Sequence, residues 1–394
     1  MKKKSIMKKN TIFIFLLLVM TAFVHAQSTG VIVTKNVRLP SDSAIKMRLI
    51  SSLNAFLNQK NKADTENLYV AQGRLLETAA LLDEMKDVEK SRLYKDDNFF
   101  KCYLTNAVRY NDSNFLLQLS YIAVKDSTPI LRAGYTLLAR GNGDQFNFYT
   151  PLELRSGGWK EEKIGNVVFH FKGDLNAAKA RAFQKQVSSY DHRLTGTGQS
   201  FDFYSCVNFQ EALSLIGIDY KADYSGSPFN TLTAHFNNGN VYICGTANED
   251  HFNKVDYHDL WHDRLHSFIA VEKINRPVDE GCAYLYGGSW GLSWQEILSR
   301  FKQFAASTPN ADWLKLYNDS YNFDPKSKFP LNVDFVINAL LVEKIEKEKG
   351  FPAVIQLLTC GRRQNGNDNY FQALQQIEGI NTSSFNATVS GLIK

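Results

Sequence analysis

Tyr257-His258-Asp259-Leu260-Trp261-His262-Asp263-Arg264-Leu265-His266 is the run on which the reading of this 394-residue chain turns. Residues four apart share one face of an α-helix, so His258 and His262 can offer two imidazole nitrogens to a single ion. The apolar spacing predicts that helix over Val255 to Val271. A third donor lies in Asp279-Glu280-Gly281-Cys282-Ala283-Tyr284-Leu285-Tyr286-Gly287-Gly288, where Glu280 follows His262 by 18 positions. Such a gap fits a helix, a turn and an antiparallel helix returning to the same place. Two imidazoles, one carboxylate and an open fourth position form the ligand set of catalytic rather than structural zinc.

The two segments resemble the metal-binding helices of the gluzincin zinc metallopeptidases, in particular the peptidase MA-like group. That group carries H-E-x-x-H followed, at this range, by E-G-x-A-x-Y, and the likeness extends over roughly residues 165 to 394. It implies that His258, His262 and Glu280 are ligands to Zn2+ and that Asp259 is the general base. It also implies a zincin-like domain with a mixed-sheet lead-in, metal-binding helices and a helical C-terminal subdomain. The activity implied is peptide-bond hydrolysis by metal-activated water, with the metal and a nearby tyrosine or histidine stabilising the oxyanion.

One departure bears on activity. The group has glutamate where this chain has Asp259, a side chain shorter by about 1.5 Å, one carbon–carbon bond. General-base geometry is demanding, and a displacement of about 1 Å can cost on the order of a hundredfold in rate. Asp259 acting through an adjusted helix or a water, Asp263 acting in its place, and a catalytically weak or inactive peptidase-like binding module therefore all stay open. His266 extends the same helical face and is a candidate outer hydrogen-bond donor or alternative ligand, with a surface or core histidine the favoured reading because two turns of helix separate it from direct coordination. Tyr257, Tyr284 and Tyr286 are candidate transition-state donors, for each of which core packing is an equal explanation.

Outward from this centre, the segments after Trp294 read as helices, including Phe335 to Lys349, Pro352 to Leu358, Tyr370 to Gln376 and Ser383 to Ile393. Upstream, Leu175 to Ser189 reads as an amphipathic helix, with Phe203 to Val207 and Gly239 to Gly245 as strands. Ser43 to about Tyr110 reads as helical. Phe115 to Val124, Ile130 to Arg140, Gln145 to Leu154 and Val167 to Phe171 read as strands, with a hairpin at Gly141-Asn142-Gly143-Asp144. The fold class is therefore α+β. Residues 27–165 are expected to form a small α+β module of NTF2-like or cystatin-like outline, and residues 166–394 the peptidase-like domain.

Residues 1–26 have the character of a signal peptide: Lys2, Lys3, Lys4, Lys8 and Lys9, then an apolar run from Ile12 to Val24, then Val24-His25-Ala26. The expectation is an exported, periplasmic or extracellular protein with no integral membrane segment after cleavage. The 45 basic residues exceed the 40 acidic ones by five, and those five lysines are the excess. A formally neutral mature chain offers no general attraction to nucleic acid, so the expected partner is a peptide or protein substrate. Cys102, Cys206, Cys244, Cys282 and Cys360 are odd in number and widely spaced, which favours buried free thiols, with Cys206 and Cys244 the one pair weighed for a bridge. Gly287-Gly288-Ser289 reads as a helix stop rather than a phosphate cradle, since no Walker lysine follows.

Overall fold

In the computed structural model, residues 30–111, 114–224, 231–236, 239–245 and 255–394 are described; the leader-like segment lies outside them. The chain divides into two units, Met1–Arg155 with Leu213–Pro228, and Ser156–Ala212 with Phe229–Lys394. Both mix helices and sheet, so the protein is α+β.

The first unit is built on a strict two-residue alternation. Along Asn114–Lys125, Phe115, Leu117, Leu119, Tyr121 and Ala123 point inward, as a half-buried strand requires. Its neighbours are Lys101–Arg109 and Thr128–Asn142, both antiparallel to it. Thr128–Asn142 pairs in turn with Gln145–Tyr149 through a two-residue turn at Gly143-Asp144, while Ile32–Val33 and Ile218–Lys221 complete a six-stranded sheet. Helix Ser43–Gln59 lays Leu49, Leu53 and Phe56 into the core, with the Phe56 ring 5.1 Å from that of Phe148.

Lys101–Arg109 corrects the helical reading of this region. The register shifts between Leu104 and Asn106, so the inward residues run Cys102, Leu104, Ala107. A bulge of this kind imposes a three-residue step that imitates helical spacing in the sequence.

In the second unit a five-stranded sheet runs in the order Thr231–Phe236, Gly239–Gly245, Ser200–Cys206, Val167–Phe171, Lys160–Ile164. The outer pairs are antiparallel and the inner pairs parallel. Helix Ala177–Thr195 covers one face, where Phe183 meets Phe169, Phe203 and Tyr242. The helix carrying the histidines spans Tyr257–Phe268, shorter than its apolar spacing predicts. It stops where Ile269 turns extended, and a 3-10 turn at Val271–Lys273 leads into the helix of Glu280, Arg276–Gly287.

Val333–Lys349, with most of its residues buried, packs against the Glu280 helix. Trp294–Ser307, Trp313–Asn318, Phe351–Leu358, Asp368–Glu378 and Thr382–Ile393 complete the helical part. All five cysteines are free, Cys206 and Cys244 included. No helix among the described residues is long and apolar enough to cross a membrane.

Candidate metal centre

Two glycines allow the close helix packing around the candidate site. A Cβ on Gly281 would stand 2.6 Å from Asn338 Cβ and 2.8 Å from Ala339 N, so only glycine lets the Glu280 helix press against Val333–Lys349. A Cβ on Gly287 would fall 2.6 Å from His258 N and from Tyr257 C and O. The end of one helix thus receives the start of the other, and the pair run antiparallel. Asp256 caps the histidine helix by accepting from His258 N at 2.9 Å.

This packing brings His258, His262 and Glu280 together as a group able to hold a metal ion. His258 Nε2 and His262 Nε2 are 3.2 Å apart, and Glu280 Oε2 lies 3.4 Å from the first and 3.8 Å from the second. A triangle with those sides has a circumradius of about 2.0 Å, so one point is that far from all three donor atoms; zinc bonds imidazole and carboxylate at about 2.0–2.2 Å.

The far side of each ring fixes which nitrogen carries its proton. His258 Nδ1 lies 2.8 Å from Gly288 O, and a carbonyl can only accept. Nδ1 therefore holds the hydrogen, and in the neutral ring Nε2 presents its lone pair. His262 Nδ1 donates to Asp279 Oδ1 at 2.9 Å, and Trp261 Nε1 donates to the same oxygen at 3.0 Å. Burial works against the Asp279 charge, but the hydrogen bond from His262 and the nearness of His266 outweigh it and hold this carboxyl down at about 2. For His262, burial opposes protonation, yet the Asp279 hydrogen bond and the surrounding carboxylates lift the metal-free imidazole to about 9.

Asp279 and the Gly288 carbonyl have roles that the sequence reading does not assign. The only sequence signal for Asp279 is its place directly before Glu280, which a carboxylate in a first helical turn explains without any site. His266 lies near the same carboxylate. Its Nε2 is 3.6 Å from Asp279 Oδ2, and His262, His266 and Asp279 form a second, overlapping group of metal-binding type.

The donors open onto a cleft of about 660 Å³ lined by Asp259, Asp263, His266, Arg276 and Arg362 among others. Asp259 is exposed there, and no hydrogen bond or ion pair holds its carboxylate among the described residues. Burial, then repulsion from Asp256, raises its pKa above the ordinary value. Asp263, one turn along, is pushed up to about 6, first by burial and then by Asp259.

Tyr284 lies beside the donors, its ring 5.7 Å from that of His258. Tyr286 OH donates to Glu346 Oε2 at 2.7 Å, Tyr284 OH engages Ser289 and the Asn332 backbone, and the Tyr257 carbonyl accepts from Tyr190 OH at 3.1 Å. None is among the described residues that line the cleft. The polar hydrogens available there come from His266, Thr231 and the arginines instead. No protein-family model matches this chain, and no curated protein matches it significantly.

Proposed function

We propose that the second unit is a zinc-dependent peptidase of zincin-like fold, acting on peptide or protein substrates outside the cytoplasm. The observation that carries this reading is the convergence of His258 Nε2, His262 Nε2 and Glu280 Oε2 around one point, with both rings held by acceptors at Nδ1. Two nitrogens and one oxygen, with a cleft on the open side, suit a borderline ion that keeps one position for substrate chemistry. Zinc bound there supplies an activated water and polarises a carbonyl.

The chain supplies proton handling and orientation. Asp263, one turn beyond Asp259 in the same lining, is the carboxylate that would take up a proton and return it to a leaving amine. Asp259 occupies the position next to the first histidine ligand and keeps Asp263 basic through their mutual repulsion. Arg276 Nε lies 3.3 Å from Glu280 Oε1 and orients the ligand carboxylate, leaving Oε2 for the centre. The leader-like segment supports an extracytoplasmic setting.

A second reading, a peptidase-derived binding module, is favoured by one observation: aspartate with an unheld carboxylate stands where the resembled group has glutamate. Metal analysis beside a peptide-cleavage assay separates the two. Cleavage lost in His262→Ala and reduced in Asp263→Asn supports the peptidase. Stoichiometric metal with peptide binding and no turnover, also in Asp259→Glu, supports the module.

A further inference from the structure

The cleft carries cations as well as acids, and two of its three arginines are committed. Arg276 pairs with Glu280. Arg363 donates to Ser320 Oγ at 2.8 Å, Asp334 Oδ2 at 3.2 Å, Asn318 O at 2.8 Å and Asn367 Oδ1 at 3.1 Å. Arg362 is different. It is exposed in the lining, and among the described residues nothing pairs with its guanidinium.

Its backbone, by contrast, is fixed. Asn369 Nδ2 donates to the carbonyls of Cys360, Gly361 and Arg362 at 3.0, 3.1 and 3.0 Å. Asn275 Nδ2 donates to Gly361 O at 3.0 Å, and Asn275 is the residue that precedes the Glu280 helix. One hydrogen bond therefore ties the Arg362 loop to the helix that presents the third donor. Gly361, at φ +97°, supplies the backbone conformation this loop needs. The result is an uncommitted planar fork on a fixed stem, beside the metal centre.

We propose that Arg362 recognises a carboxylate on the substrate, so that the cleft selects peptides bearing either a free C-terminal carboxylate or an acidic side chain near the reacting bond. The inference deepens the peptidase reading and rests on it for the identity of the ligand as a substrate; binding itself needs no turnover. A guanidinium fork matches a carboxylate in two parallel hydrogen bonds, which neither a lone ammonium nor an amide reproduces. Asp259 and Asp263, in the same lining, repel an anion from their part of the cleft and so confine it to Arg362. Val271 and Ile274 provide apolar contact for a neighbouring side chain.

The test uses the full mature chain, zinc-loaded and chelator-stripped, with one short fluorescent peptide in four forms: free acid, C-terminal amide, amide with an internal Glu, and amide with Gln at that place. At low ionic strength a carboxylate form is expected to bind on the order of tenfold more tightly than its neutral counterpart, an advantage that shrinks with added salt. Which pair shows the gain tells a terminal from a side-chain carboxylate. Arg362→Gln is expected to abolish the difference, Arg362→Glu to reverse it and Arg362→Lys to keep part of it, all at unchanged zinc content. Equal binding of all forms, no binding of any, or a preference that survives in Arg362→Gln overturns the proposal. Cleavage without charge preference would remove this inference and leave the peptidase standing. Charge-selective binding without cleavage would do the reverse.

Discussion

Asp279 Oδ1 accepts from His262 Nδ1 at 2.9 Å and from Trp261 Nε1 at 3.0 Å, so one buried oxygen orients a metal-binding ring and anchors it to the hydrophobic core. The Asp279 carboxylate cannot swing away without stranding the buried indole N–H of Trp261, so the acceptor that faces His262 is held in place. Metal binding and packing are coupled at this atom.

Asp279→Ala is therefore expected to lower zinc affinity by about 10- to 100-fold, the usual effect of losing such an outer partner. Leaving the Trp261 N–H unsatisfied adds a stability loss of about 1–3 kcal/mol. Competition titration with a chromophoric chelator reads the first and denaturant unfolding of the metal-free protein the second. Unchanged affinity would show that the imidazole is positioned by packing alone.

Gly287→Ala forces a methyl group against the Tyr257 carbonyl, at 2.6 Å in the present geometry. The start of the histidine helix has to move, which takes His258 away from Glu280. The expected outcome is a marked loss of zinc binding with a stability cost of about 1–3 kcal/mol, as for overpacking elsewhere. Retained stoichiometric zinc would contradict the close-approach account.

Arg264 Nε donates to Asp191 Oδ1 at 2.7 Å, with both side chains essentially inaccessible. This pair joins the helix Ala177–Thr195 to the histidine helix. Arg264→Leu leaves a buried carboxylate alone and is expected to cost about 3–5 kcal/mol, whereas Asp191→Leu with Arg264→Met should recover much of that. Thermal unfolding of the three variants checks the ordering.

Zinc uptake should release protons. In the metal-free protein His262 has its pKa raised from 6.5 to about 9, so at pH 7.5 the imidazole is charged and must lose a proton to become a ligand. The raised pKa stabilises the metal-free fold fully below the unfolded value of about 6.5, and that contribution disappears as pH rises through about 9. Calorimetric titration with zinc in two buffers of different ionisation enthalpy is expected to show proton release at pH 7.5 that fades by pH 10. Release independent of pH over this range would argue against His262 as the displaced acid.

The convergence of three candidate donors was legible because it depends on local spacing: a four-residue step for His258 and His262, and a helix–turn–helix return for Glu280. What surrounds them was not. The partner of His258 is the Gly288 carbonyl, a backbone atom that no side-chain pattern announces. Arg362 sits 82 positions beyond Glu280 in a loop whose shape comes from Asn275 and Asn369, a tertiary arrangement without periodicity. Tyr284 and Tyr286 follow Glu280 in sequence, but Tyr284 packs its ring against that of His258 and Tyr286 OH donates to Glu346, and neither lines the cleft. In the first unit, the bulge after Leu104 disguised a strand as a helix.

The most direct test of the proposed metal centre is zinc analysis of the purified protein, combined with X-ray absorption at the zinc edge. About one zinc per chain is expected, bound by two imidazole nitrogens and light oxygen donors at about 2.0–2.2 Å, and lost in His258→Ala, His262→Ala and Glu280→Gln. A chain that takes up no zinc, or a bound zinc that survives all three substitutions, would contradict it.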